Sequence, residues 1–164
     1  TYDGNPEQYP LLLYPYPSVT LGDGRGAASS WLQEAPDPMT TASWDTWVEI
    51  NPETAKGLGI AMDDVVKVIS PYGEITAVAY VYRAIRPDVV AVPLGQGHFE
   101  YGRFAKDHGA NVAAILAPIT TPDGELAWGA TRVRIEKLGR SRKLPRLENN
   151  VGVDAANEYG VFPG

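Results

Sequence analysis

"WVEINPETAKGLGIAMDDVVKVISPYGEITAVAYVY" runs from Trp47 to Tyr82. Its opening, Trp47–Ile50, alternates like a short strand. Asn51 then suits a helix N-cap and Pro52 the first helical position, where a missing N–H costs nothing. Gly57 or Gly59 is placed to end that helix. Asp63–Ser70 alternates again, Pro71–Gly73 makes a tight turn, and Glu74–Tyr82 returns as the second arm of a hairpin. A strand, a two-turn helix and a hairpin in such close order leave no room for the long crossovers of a doubly wound parallel sheet.

Outward from this stretch the same economy holds. Upstream, Tyr9–Tyr16 is apolar and aromatic between prolines, which favours a first strand over a helix. Between it and Trp47 lies Pro17–Trp47, long, rich in Gly, Ser, Thr and Pro, and without strong periodicity. Trp31, Trp44 and Trp47 argue against disorder there, because disordered segments are poor in aromatics. A loop of this length in a compact domain is functional or packed on a partner. Downstream, Arg86–Gly95 reads as a turn and a short buried strand, and "YGRFAKDHGAN" within the next loop has the look of one or two helical turns. Val112–Pro118 fits a short helix or strand, Asp123–Gly124 marks a turn, and Ala130–Leu138 alternates as a last strand. The sum is about six short strands with two or three short helices, a small mixed barrel. The expected organisation is a linker over residues 1–8, one domain over 9–138, and an extended tail or linker over 139–164.

Bulk properties exclude several function classes. A net charge of −6 disfavours non-specific nucleic-acid binding, which needs a basic surface. With no cysteine, the chain cannot itself form disulfides, use a thiolate nucleophile or ligate an iron–sulfur cluster. No apolar run approaches the roughly 20 residues of a membrane span. The opening "TYDGNPEQYP" lacks an initiating Met and suggests a processed chain or a piece of a longer one.

The residues able to do chemistry are few. His98 and His108 stand ten apart with no His-x-x-x-His or His-x-His spacing, so no metal site is expected. No Gly-x-Ser-x-Gly elbow is present for nucleophilic catalysis. Asp63–Asp64 suits a turn better than acid–base work. Two glycine-rich pieces remain, "LGDGRGA" (Leu21–Ala27) and "LGQGH" (Leu94–His98). Glycines let backbone approach a ligand, and Arg25 or Arg103 could bond phosphate oxygens. Neither piece is a P-loop or a dinucleotide fingerprint, and each alone reads as well as a turn.

In their order along the chain these segments resemble a known family, the C-terminal cofactor-binding domain of molybdopterin oxidoreductases in the dimethyl sulfoxide reductase superfamily. Glu49, Ile50, Asn51, Pro52, Ala55, Leu58, Gly59, Ile60, Asp64, Val66, Ser70 and Gly73 fall on the family pattern, as do "GAN" (Gly109–Asn111) and "TRVRIEK" (Thr131–Lys137). Two departures stand out. Asp63 occupies a position where glycine is usual, and "DGRGAASSWL" replaces the more polar first loop of many members.

The resemblance implies a mainly β fold, a double-psi β-barrel with short helices and a long N-terminal loop. It implies that this domain closes over molybdopterin guanine dinucleotide carrying Mo or W and is not catalytic alone. By position it assigns Gly24, Arg25 and Gly26 in the first loop, Gln96, Gly97 and His98 after the fifth strand, Asn111, and Arg132 on the last strand to cofactor contact, with glycine amides as donors. Implied partners are the remaining domains of the same large subunit, and iron–sulfur and membrane subunits of a respiratory complex on the periplasmic face of a bacterial membrane. "YPYPS…DGRGA…WLQEAPDP" and "PLGQGHFEYGRFAKDHGAN" look most like a branch that includes polysulfide reductase-type subunits and the molybdopterin-like subunit of alternative complex III. In the latter the fold persists without the cofactor, which makes a structural module the alternative reading.

Overall fold

The computed structural model describes residues 2–147. Six strands occur in the order β1 (Leu11–Tyr16), β2 (Trp47–Ile50), β3 (Asp64–Ser70), β4 (Gly73–Val81), β5 (Val89–Pro93) and β6 (Arg132–Ser141). They close into one barrel with the spatial order β1-β5-β2-β4-β3-β6. β1 pairs parallel with β5, and β2 parallel with β4, while the other neighbours are antiparallel. This is the mainly β, double-psi arrangement that the sequence resemblance implied. Closure leaves no long sheet edge.

Alternation decides which side chains fill the barrel. Val48 and Ile50 of β2 point inward and are fully buried, beside Leu13, Val66, Val68, Ala77, Ala79, Val90, Val92 and Val133. The small and β-branched residues suit the narrow interior of a six-stranded ring. Ala55 and Ile60 from the helical turn and Val112, Ile115 and Leu116 join this core. Each fully buried aliphatic side chain contributes about 1.5–3 kcal/mol.

Helix α2 (Pro52–Leu58) follows the expected chemistry closely. The Asn51 carbonyl oxygen of the side chain accepts from Glu53 N at 2.9 Å, and its Nδ2 donates to Ile85 O at 2.7 Å. One residue thus caps the helix and pins the loop that precedes β5. Of the two candidate glycines, Gly59 forms the C-cap with φ 66°, a conformation only glycine adopts cheaply.

Other segments differ from the sequence pattern. A short helix, α1 (Ser30–Glu34), interrupts the long first loop. The residues after β5 hold a single turn closed on the Gly102 carbonyl by Ala105 and Lys106. Val112–Ile115 is one 3-10 turn, capped by Asn111. β6 continues to Ser141, three residues past the end of the visible alternation, because its outer half pairs with β3 across a bulge between Asp64 and Val66. From there the chain crosses the outside of β2 and β4. Leu144 is fully buried in a second cluster with Ala42, Trp47 and Val78. The expected tail is therefore seated on the barrel as far as Leu147; residues 148–164 lie outside the described residues.

Asn51→Ala removes both the helix cap and a partner of Ile85 O, so denaturant unfolding should show a loss of about 2 kcal/mol, the upper end for a cap. Asp64 pairs with Lys137 at 2.7 Å and accepts from Ala61 N at 2.7 Å, which hold its carboxyl below the ordinary range. Its contribution is present above the unfolded pKa of about 3.9 and is lost as pH falls through the lower folded value. The Tm of the native chain should fall more steeply between about pH 5 and pH 2 than that of Asp64→Asn.

Candidate functional site

Parallel pairing sets the site. β1 and β5 end side by side, with Tyr16 opposite Pro93, so the loops that follow them emerge on one rim. Leu94 N donates to Tyr16 O at 2.8 Å and begins the join. In the first loop, Gly22 N and Ser18 O, and Ser18 N and Gly22 O, exchange bonds at 2.8 and 3.0 Å and fold the segment back. Gly24 then sits over the His98 ring. A Cβ there would lie 3.0 Å from His98 Nε2, and φ is +116°, so the position demands glycine twice over. Gly95 similarly faces Leu21, at 2.9 Å from where its Cβ would be. Tyr101 Oη closes the outer side by donating to Arg25 O at 3.1 Å.

The second loop doubles back on itself. Gly97 N donates to His108 O at 2.8 Å and Asp107 N to His98 O at 3.0 Å. A Cβ on Gly97 would overlap the Asn111 amide nitrogen. Ala110 N donates to Thr46 Oγ1 at 2.9 Å, and the same hydroxyl donates to Ala110 O at 3.3 Å. Trp44 packs its ring 5.0 Å from that of His108. Between this return arm and the start of β4 lies a cleft of about 360 Å³, bordered by Gly97, His98, Asp107, Ala110, Asn111 and Glu74.

The eight residues assigned from sequence have different fates. Gly24, Gly97 and His98 meet at the junction of the two loops. Gly24 N and Gly26 N already donate to Leu21 O at 3.1 and 3.2 Å, as Gly97 N does to His108 O. These amides are therefore satisfied internally, and the glycines serve close backbone approach rather than donation. Gln96 is buried and engaged in a reciprocal amide pair with Gln33, at 2.7 and 3.1 Å. Gln33, from α1, also donates to Ala27 O at 3.0 Å. Asn111 lines the cleft while its side chain accepts from Ala113 N at 3.1 Å. Arg25 stands on the rim, 84% exposed, forked onto Asp23 at 2.8 Å; the guanidinium holds the Asp23 carboxyl well below the usual carboxylate range. Arg132 opens β6 beside Leu12, with its guanidinium 5.5 Å from the Tyr2 ring, and so packs with the N-terminal segment.

Sequence reasoning missed Gln33, Thr46 and Trp44 as parts of this rim. Only the tryptophan content hinted that their loop was ordered; the partners of Gln33 and Thr46 lie more than sixty residues away, |i−j| being 63 and 64.

One polar atom on the rim is left over. His98 Nε2 is buried without a hydrogen-bond partner. A buried imidazole nitrogen costs free energy unless something supplies its bond. Together with the glycine-lined contact of the loops, the cleft and the exposed Arg25, it fits an oxygen- and nitrogen-rich ligand edge laid across the rim. Among the described residues no group of three or more His, Cys, Asp or Glu could hold a metal ion, and no helix is long and apolar enough to cross a membrane.

Comparison with known proteins gives this geometry a family. The chain is 33% identical over 129 residues, 78% of its length, to the menaquinone reductase molybdopterin-binding-like subunit of Nitratidesulfovibrio vulgaris. It is 34% identical over 145 residues, 82% of its length, to the arsenate respiratory reductase molybdopterin-containing subunit ArrA of Shewanella sp. strain ANA-3. It spans only 19% and 17% of those two proteins. Its fold superposes on acetylene hydratase from Pelobacter acetylenicus with a TM-score of 0.63 at 18% identity, over 80% of this chain and 19% of that one. Residues 22–125 match the family described as "Molydopterin dinucleotide binding domain", and this chain belongs to that family.

Proposed function

We propose that this chain closes one side of a molybdopterin dinucleotide site in a larger oxidoreductase subunit, whose other domains supply the metal ligand and the substrate pocket. The observation that carries the reading is the partnerless His98 Nε2 beneath Gly24, at the contact of the two rim loops. It is a candidate recognition point: a nitrogen without a partner, packed against a glycine whose φ of +116° disfavours any other residue. His98 and Asn111 would bond the pterin edge, Arg25 the phosphates, and Arg132 a part of the ligand reaching toward the N-terminal segment. The bound group, with Mo or W, would supply the redox chemistry. The residues of this chain bind, orient and exclude water, and so act on the electronics and solvation of the cofactor.

A second reading has its own support. One relative is named a molybdopterin-binding-like subunit. The rim glycine amides already bond inward, and Glu74 and Asp107 place carboxylates beside the cleft. These features suit a barrel kept as a structural module of a membrane respiratory complex, its surfaces contacting iron–sulfur and membrane subunits. The two readings part on composition. Pterin and Mo or W analysis of the intact purified protein should find both in near-stoichiometric amount; finding neither removes the cofactor reading.

Under the first reading, Gly24→Ala should lower the retained dinucleotide by about tenfold, because it pushes a methyl group into His98 and strains φ. Arg25→Ala should lower retention less in high salt than in low, since the charge is exposed. Unchanged pterin content in Arg25→Ala and Arg132→Ala would take those two residues out of the site.

A further inference from the structure

The chain is acidic overall, yet "KLGRSRKLPR" from Lys137 to Arg146 carries five basic residues in its ten positions. Three of them grip carboxylates on the barrel. Lys137 pairs with Asp64 at 2.7 Å, Arg142 with Asp45 at 2.5 Å and Arg146 with Asp63 at 2.7 Å. Backbone bonds reinforce the grip: Arg142 N to Asp63 O at 2.9 Å, Ser43 N to Pro145 O at 3.0 Å, and Leu147 N to Thr41 O at 2.8 Å. Leu144 N also donates to Asp63 Oδ1 at 3.1 Å. Asp63 is the residue standing where the family usually has glycine, and it keeps the left-handed backbone, φ 67°. Its carboxylate makes contacts that glycine lacks. Thr41 and Trp44, on the loop beneath, are left-handed too, with φ of 58° and 61°. Strained residues persist where surrounding contacts over-determine them.

We infer that residues 142–147 form a strap that positions the cleft wall through the route Arg142–Asp45–Thr46–Ala110. Each link is a contact. The Asp45 side chain is only 4% exposed, and the half-exposed Arg142 guanidinium neutralises it. Asp45 Oδ1 accepts from Thr46 N at 2.8 Å. Thr46 Oγ1 holds both the amide and the carbonyl of Ala110, and a Cβ on Gly109 would collide with that hydroxyl. Gly109, Ala110 and Asn111 line the cleft. Removing Arg142 strands a buried carboxylate without its counter-charge, a situation that drives local rearrangement. The loop that carries Trp44–Thr46 is the part of the chain bonded directly to that carboxylate. The strap therefore sets how firmly Gly109–Asn111 is held. Its consequence for ligand retention rests on the cofactor reading above; its consequence for the wall does not.

Amide hydrogen exchange on the intact purified protein tests this. In Arg142→Ala, exchange at Ala110, whose amide is bonded to Thr46 Oγ1, should rise about tenfold while the β3–β4 hairpin is unchanged. Arg142→Lys, which keeps the charge but not the forked geometry, should give a smaller rise. Thr46→Val cuts the last link, so it should raise exchange at Ala110 by itself, and adding Arg142→Ala should bring little more. Arg140→Ala, at an exposed basic residue near the end of β6, serves as the control and should leave the wall as it was. If exchange at Ala110 stays native in Arg142→Ala while 142–147 becomes exposed, the strap does not position the wall. An equal rise in Arg140→Ala, or a full further rise from Arg142→Ala on the Thr46→Val background, overturns the route as well. Loss of pterin in Arg142→Ala would extend the effect to the ligand. Exchange remains decisive if the protein holds no pterin.

Discussion

The parallel pairing of β1 with β5 is the constraint from which the rest follows. Two strands far apart in sequence run in the same direction and end at the same level, Tyr16 beside Pro93. Their following loops then have no choice but to share a rim. A parallel pair needs a long connection, and here much of the chain lies between the two strands, including the hairpin that completes the ring. Closing the ring buries the aliphatic interior and at the same time forces Leu21–Ala27 against Leu94–His98. Stability and site geometry have one cause.

What the loops do with that proximity differs from a simple phosphate cradle. Their glycines make the approach possible, but the N–H groups of Gly24, Gly26 and Gly97 turn inward to Leu21 and His108. The backbone of the rim is satisfied in its own bonds, and the Gln33–Gln96 amide pair is buried below it. The side chains of His98, Asn111 and Arg25 lie at the edge, and His98 Nε2 is buried without a hydrogen-bond partner. A preformed surface of this kind orders little on binding, so less affinity is lost to entropy.

Electrostatics adds a second layer outside the barrel. The basic run that spans the end of β6 and the segment after it pairs with Asp45, Asp63 and Asp64, and its Leu144 closes a small apolar cluster around Trp47. Exposed ion pairs are worth little, but Asp45 is buried, and its neighbour Thr46 is bonded to the cleft wall. The loop Thr41–Thr46 thus touches the 142–147 segment on one side and the cleft wall on the other.

Local order was legible in the chain itself. The alternation of Asp63–Ser70 and Glu74–Tyr82, the Asn51–Pro52 helix start, the Gly59 stop and the turn at Pro71–Gly73 depend on interactions within a few residues, so composition and period determined them. The family pattern extended this to the barrel and to the neighbourhood of Gly24, Gly97 and His98. What each of those residues does was decided only by tertiary structure. Gln96 found Gln33, Arg132 found Tyr2, and the tail found Asp45 and Asp63, all across long stretches of sequence, while the glycine amides turned to Leu21 and His108 within their own loops. Hydrogen-bond partners are set by where the folded chain brings donors and acceptors together, and local patterns carry no record of that.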